Sequence, residues 1–265
     1  MPEGDTIFRA AAVLRAAIAG KPLVGFETPR LRVAPFPPET VVRFVEARGK
    51  HLLVGFGDGR VLHTHMQMSG SWHVYRPGEP WQRAEHRVRV RIDVPDAVAV
   101  CFDAPVVELL RERDLPRHPR LSALGPDLCS PDADLAEALA RLERLPPRTE
   151  VAVALLDQRV ASGVGNVYKS EVLFARRVDP FAALGDLDMA TKNGLLETAS
   201  RMLRANLGGG RRTTAPGGLA VYGKPGRPCP RCGTSIRSAR QGETPRTTYW
   251  CPSCQRAPAL EGTPR

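Results

Sequence analysis

Four cysteines carry the plainest chemistry in this chain. Cys229 and Cys232 form a C-P-R-C knuckle, Cys251 and Cys254 form a C-P-S-C knuckle, and eighteen residues separate the pairs. Thiolates at this spacing are the ligand set of a structural, tetrahedral zinc site. Two disulfides are the competing reading, disfavoured if the protein works in a reducing compartment. A second chemical stretch is Val160-Ala161-Ser162-Gly163-Val164-Gly165, followed by Asn166. Backbone N–H groups and the macrodipole at a helix start make an anion site there, to which the Asn166 amide adds a donor. A helix-turn-helix corner whose glycines only permit tight packing fits the same spacing. The chain opens Met-Pro-Glu-Gly-Asp, a rigid proline and two carboxylates where termini usually fray. His63 and His65 alternate on a strand and read as satisfied sheet residues rather than metal ligands. Cys101 reads as a buried thiol in an apolar run, Cys129 as a surface thiol in a loop.

Charge narrows the class of partner. The 265 residues carry a net charge of +10, yet residues 1–200 hold 26 Lys+Arg against 26 Asp+Glu, whereas residues 201–265 hold 12 against 2. The positive charge is therefore confined to the last quarter. Such a region fits a phosphate backbone, an anionic membrane or an acidic partner. Hydrophobic content of 42% and charged content of 25% are ordinary for a globular protein. No apolar run approaches the ~18 residues of a membrane span, and the start lacks a basic-then-apolar signal, so the expected location is the cytoplasm, on the nucleoid.

The elements that must position these groups follow from pattern. A helix capped by Asp5 or Thr6 presents Ile7, Ala11, Leu14 and Ile18 on one face and ends at Gly20. Strand-like runs follow at Val41–Val45, His51–Phe56, Val61–Met66, Ser71–Tyr75, Val88–Val94 and Val98–Phe102, which without intervening helices predict an antiparallel sandwich. A charged connector, Arg111–Pro119, leads to helices at Pro131–Leu145, Glu150–Gln158, Gly165–Arg176 and Asp188–Leu207. Gly208–Gly218 reads as a flexible loop. Between the knuckles, Ile236 and Thr247–Trp250 predict a hairpin bearing Arg237, Arg240 and Arg246, too small to fold without its metal. The fold class is thus α+β multidomain. An N-terminal antiparallel β-sandwich with a leading helix covers 1–115, a helical domain 125–222, a zinc-stapled β-hairpin 223–257, and a tail 258–265.

The Pro-Glu-Gly-Asp start, the Gly-Val-Gly-Asn turn between helices and the cysteine hairpin, in this order, resemble the Fpg/Nei family of bifunctional DNA glycosylases. The start is similar to the endonuclease VIII (Nei) branch, and the likeness runs from residue 2 to about 256. It implies a helix–two-turn–helix motif around Asn166 and a base-excision-repair enzyme acting on damaged DNA. With Met1 removed, the Pro2 ring nitrogen is a secondary amine that attacks C1′, displaces the base and forms a Schiff base, and elimination then cleaves the strand. Glu3 manages protons during ring opening, and Lys50 contacts phosphate near the lesion and assists. The resemblance places Asn166 and Arg246 on phosphate. Gln67, Met68 and Ser69 fill the gap left by the everted base.

Departures bear on substrate. Ser69 is smaller than the aromatic of some Nei proteins, and Asp103-Ala104-Pro105 lacks the Arg-Phe pair that Fpg enzymes insert, which favours oxidised pyrimidines over 8-oxoguanine. For Met68, core packing is the alternative reading. The resemblance implies a monomer with one structural zinc and no small-molecule cofactor. Rival classes are a non-catalytic zinc-ribbon DNA-binding protein and an RNA-binding ribbon protein.

Overall fold

The computed structural model describes residues 2–256; the tail expected over 258–265 lies outside them. Two compact units divide between Ala123 and Leu124.

The first unit opens with α1 (Gly4–Ile18). Its buried face is the one that the four-three-four spacing predicts: Ile7, Ala11, Leu14 and Ile18. Its start differs from expectation. Glu3, not Asp5 or Thr6, occupies the cap position, and Asp5 sits inside the first turn, where its buried carboxylate lies 3.6 Å from Arg9 Nη2.

Eight strands follow: β1 (Gly25–Glu27), β2 (Val42–Arg48), β3 (His51–Phe56), β4 (Arg60–His65), β5 (Ser71–Tyr75), β6 (Val88–Val94), β7 (Ala97–Phe102) and β8 (Val106–Arg111). They form two antiparallel four-stranded sheets, ordered β1-β6-β7-β5 and β2-β3-β4-β8. Their facing sides share one core. Val45, Leu52, Val54 and Leu62 come from one sheet, Val90, Ile92, Ala99 and Cys101 from the other, and the apolar stripe of α1 packs with both. Burial of this kind, at roughly 25 cal/mol per Å² of apolar surface, is what holds a sandwich together.

Strands β1 and β8 are absent from the sequence reading. β1 has three residues, and β8 has no fully buried residue, so neither writes a clear alternation. Backbone pairing creates β8 instead, in register with β4 from Arg60↔Arg111 to His65↔Val106.

The second unit holds α2 (Leu135–Glu143), α3 (Val151–Ala154), α4 (Asn166–Arg176), α5 (Met189–Arg204), β9 (Arg237–Gln241) and β10 (Arg246–Trp250). Asp134 and Asp188 cap α2 and α5, their side chains accepting the N–H of Glu137 and Thr191. α3 is far shorter than the expected Glu150–Gln158. Asp157 accepts the Arg159 N–H and Gln158 turns its amide onto the Leu156 and Val164 carbonyls, so side chains compete with the helical ladder there. Cys129 is buried rather than on the surface, because its loop is pinned by the Leu128 N–H to Ser162 O and by the Ser200 hydroxyl to Leu128 O. The hairpin does not stand apart within this unit. Ile236, Cys229 and Cys251 form a cluster with Phe174 of α4 and Val221. Among the described residues, no helix is long and apolar enough to cross a membrane.

Candidate catalytic and DNA-binding site

The N-terminal residues are held by α1. Pro2 is half-buried just before the cap position, and Glu3 is fully buried there. The Glu3 carbonyl accepts the N–H of Thr6 and Ile7 at 2.9 and 3.1 Å, while its carboxylate makes no capping bond to the helix. A carboxylate at that end is favoured by the macrodipole.

Lys50 stands half-buried on the tight β2–β3 turn, after Gly49, whose φ of 57° is one that glycine adopts without strain. Behind the turn lie four histidines of the same sheet and its connector: His51, His63, His65 and His118. Burial, with help from neighbouring rings, pushes His51 down to about 3. Burial and the Lys50 charge push His65 down to about 4. His63 is completely buried, bonded to His51 and Glu108, as the sheet reading expected.

Gln67, Met68 and Ser69 form the β4–β5 turn. Met68 is 61% exposed, so core packing does not describe it. Gln67 adopts a φ of 46°, a strained value for a side chain of its size. The turn is braced from behind. Ser69 donates to the Asp103 carbonyl, Arg83 reaches the Ser69 carbonyl, and Asp103 binds Arg83 and Arg87 at 2.7 Å each. Hydrogen bonding from Arg87, reinforced by Arg83, holds the Asp103 carboxyl below its usual range. Gly70 closes the turn; a Cβ there would come within 2.8 Å of the Met66 backbone.

In the second unit Asn166 is the first residue of α4, after an extended Gly165. Its carboxamide is engaged on both sides. Nδ2 donates to the Thr247 carbonyl at 2.7 Å, and Oδ1 accepts from the buried Lys169 ammonium at 2.6 Å. Lys169 also donates to the Thr248 hydroxyl, which donates to Gln241, whose amide donates to Glu150 and the Pro180 carbonyl. The helix start is thereby tied to both hairpin strands, with exposed Arg246 at the head of β10. Sequence reasoning missed Lys169: a cation within a helical stretch gives no sign that it is buried.

Cys229, Cys232, Cys251 and Cys254 converge, all four sulfurs within 4.8 Å of one another. The Sγ–Sγ separations of 3.4 Å between Cys232 and Cys251 and 3.9 Å between Cys229 and Cys254 are far beyond a disulfide bond. They bracket the edge of about 3.8 Å that a tetrahedron with Zn–S bonds of about 2.3 Å would have. The residues therefore fit one structural zinc, which would tie the two knuckles together. The Thr234 and Ser253 hydroxyls, 2.9 Å apart, join the same knuckles directly.

Comparison with known proteins agrees with this layout. The chain matches the formamidopyrimidine-DNA glycosylase N-terminal domain over residues 1–105, that glycosylase's H2TH domain over 124–216, and the zinc finger found in FPG and IleRS over 226–257. Fold and site thus define a zinc-hairpin protein of the helix–two-turn–helix glycosylase class. It is 43% identical to a probable endonuclease 8 2 of Streptomyces coelicolor, covering 98% of this chain and 95% of that one. It is 40% identical to the DNA-(apurinic or apyrimidinic site) lyase Nei2 of Mycolicibacterium smegmatis (97% and 100% covered) and 33% identical to Escherichia coli endonuclease 8 (96% and 100%). The fold superposes on Lactococcus lactis Fpg bound to abasic-site DNA with a TM-score of 0.82, at 22% identity, covering 97% of this chain and all of that one. The chain belongs to the Fpg/Nei family of DNA glycosylases.

Proposed function

We propose that the protein is a base-excision-repair enzyme, a DNA glycosylase and AP lyase, that removes oxidised bases, pyrimidines foremost, and then cleaves the strand. The observation that carries this reading is the placement of Pro2 directly ahead of α1, with Glu3 buried at the helix start, in a chain whose full-length relatives are named endonuclease 8 and AP lyase.

Once the initiator methionine is removed, the Pro2 ring nitrogen is a secondary amine. An α-amino group titrates near ~8, more than two units below a free lysine, so more of it is neutral at physiological pH. Its lone pair attacks C1′ of the damaged nucleotide, the C1′–N bond to the base breaks, and the base leaves with a proton. The C1′–O4′ bond then breaks as the nitrogen lone pair forms the C1′=N bond and O4′ takes a proton, and the resulting iminium acidifies C2′. Loss of that proton expels the 3′ phosphate, and a second elimination expels the 5′ phosphate. Glu3 is the group we assign to proton transfer at the sugar. Lys50 balances charge at the adjacent phosphate, Asn166 and Arg246 hold the backbone, and Gln67, Met68 and Ser69 occupy the vacated stack. Exposure of Met68 supports this last role. The zinc, when bound, is structural.

Every step uses the terminal amine and side chains, so this reading calls for no small-molecule cofactor, and we take the protein to act as a monomer, in the cytoplasm on the nucleoid. The domains read from sequence, a catalytic sandwich over 1–115, a helical domain over 125–222 and a finger over 223–257, remain the working division of labour. The test is borohydride trapping on duplexes each bearing one lesion, followed by peptide mapping. A reduced adduct on Pro2, strongest with oxidised pyrimidines, is expected. An adduct on lysine, or none, returns the protein to the non-catalytic DNA-binding class.

A further inference from the structure

A single hydrogen-bonded chain runs through the β3-β4-β8 side of the sandwich, and the assignments above leave it without a task. The Leu121 backbone N–H donates to His118 Nδ1 at 3.3 Å, and His118 Nε2 lies 3.1 Å from Glu108 Oε2. The same oxygen is 2.8 Å from His63 Nδ1, and His63 Nε2 is 2.8 Å from His51 Nδ1. Both ends dictate direction. A backbone N–H can only donate, so His118 accepts at Nδ1 and carries its proton on Nε2, facing Glu108. An ionised carboxylate can only accept, so His63 carries its proton on Nδ1. Its Nε2 is then a lone pair, which takes the Nδ1 proton of His51. One carboxylate thus fixes the tautomers of three rings. His65 is fixed separately, by the Gln67 N–H on its Nδ1 at 3.3 Å.

The charges agree with this layout. Burial pulls the Glu108 carboxyl upward, but the His63 and His118 N–H groups outweigh it and hold it below its usual range. Burial lowers His63 in spite of Glu108. His63, Glu108 and His118 also bring three metal-type donor atoms within 4.8 Å. Ligation would need lone pairs at His63 Nδ1 and His118 Nε2, where this bonding pattern puts protons.

The chain of bonds ends at His51, the first residue of β3, which directly follows Lys50 on the β2–β3 turn. His51 pairs with His65 across β3 and β4, the ring centroids 4.7 Å apart, and burial first, then the nearby Lys50 charge, holds His65 down. We propose that Glu108, acting through His63 and His51, is a positioning residue for Lys50, its carboxylate holding the rings beneath the β2–β3 turn in one uncharged tautomer set. The proposal rests on the assignment of Lys50 to catalysis.

Glu108 is half-exposed, so its variants should fold. In Glu108→Leu the His63 Nδ1 proton loses its acceptor, and His63 and His51 reverse tautomer. In Glu108→Gln the amide oxygen still accepts. The experiment combines long-range proton–nitrogen spectra of the imidazoles at pH 7.5 with steady-state cleavage of abasic duplex by wild type, both variants and Lys50→Ala. Expected are Nδ1–H signals for His51 and His63 in wild type and Glu108→Gln, reversed in Glu108→Leu. We expect kcat of the leucine variant to fall about tenfold with KM changed less than about twofold, and the glutamine variant to recover most of the rate. Unchanged spectra or unchanged cleavage in Glu108→Leu overturns the proposal, as does a second zinc per chain that disappears in His63→Phe. Full activity in Lys50→Ala would instead sink the catalytic assignment beneath it, and the two failures are distinct.

Discussion

The Asn166 carboxamide nitrogen lies 2.7 Å from the Thr247 carbonyl oxygen, so the start of the helix–two-turn–helix segment and the second hairpin strand are one hydrogen-bonded body. Asn166 has two amide protons. Thr247 takes one, and the phosphate contact proposed for Asn166 would use the other, at a helix start where the macrodipole favours an anion. On the proposed role, structure and binding are joined in one side chain.

Lys169 tests that joint. Its side chain is 1% exposed, yet its ammonium orients Asn166 Oδ1 and the Thr248 hydroxyl. Lys169→Met should lower stability by about 1.5–3 kcal/mol, the range for hydrogen bonds to a charged group, and should weaken DNA binding as well. Urea unfolding and duplex titration at one salt concentration check both. Loss of stability with unchanged affinity would show that Asn166 is not positioned by this network.

The zinc hairpin should fail as a unit. Its core is a small cluster built on Cys229, Ile236 and Cys251 against Phe174, too little to hold two five-residue strands without the metal. Metal analysis should give one zinc per chain. A strong chelator should release it, abolish DNA binding, and change the near-ultraviolet signal of Tyr249 and Trp250 while leaving the sandwich folded. Retained binding after release would contradict this.

How much of this was legible in sequence depended on whether the signal was local. The α1 stripe, the cysteine knuckles and the hairpin are short-range patterns, and the chain writes them plainly. β8 exists through its pairing with β4, and Glu108 faces His63 only in that register, so neither the strand nor the imidazole chain could be read without the fold. Lys169 and Cys129 were hidden for the same reason: tertiary contacts bury them. The role of Met68 was undecided by composition and is narrowed by exposure alone.

Acid should destabilise the first unit through its histidines. His51 is faced by His65, His63, His118 and Arg120, and His65 by Lys50, His63 and Arg120. Both rings are held down, to about 3 and about 4, from an ordinary value of 6.5. Below pH 6.5 the unfolded chain therefore binds protons that the fold refuses, and stability falls as pH falls, by at most about 1.4 kcal/mol per unit per ring. Above that pH these groups contribute no slope. Denaturant unfolding at pH 7.5, 6 and 5 should show the drop, and His51→Gln with His65→Gln should reduce it, leaving the smaller contribution of buried His63. A slope left undiminished by both substitutions would assign it elsewhere.

Arg246 offers the sharpest separation of binding from folding. It is exposed at the head of β10, and its backbone partner Gln241 holds the register whatever side chain stands there. If its guanidinium neutralises one phosphate of duplex DNA, Arg246→Ala releases one fewer counterion on binding. The slope of log affinity against log salt should then become shallower by about 0.9, with affinity lower for every sequence alike. The midpoint of unfolding should not move. Titrations between low and physiological salt read the slope directly. An unchanged slope would remove Arg246 from the phosphate contacts, whereas a lesion-dependent loss would place it at the damaged nucleotide instead.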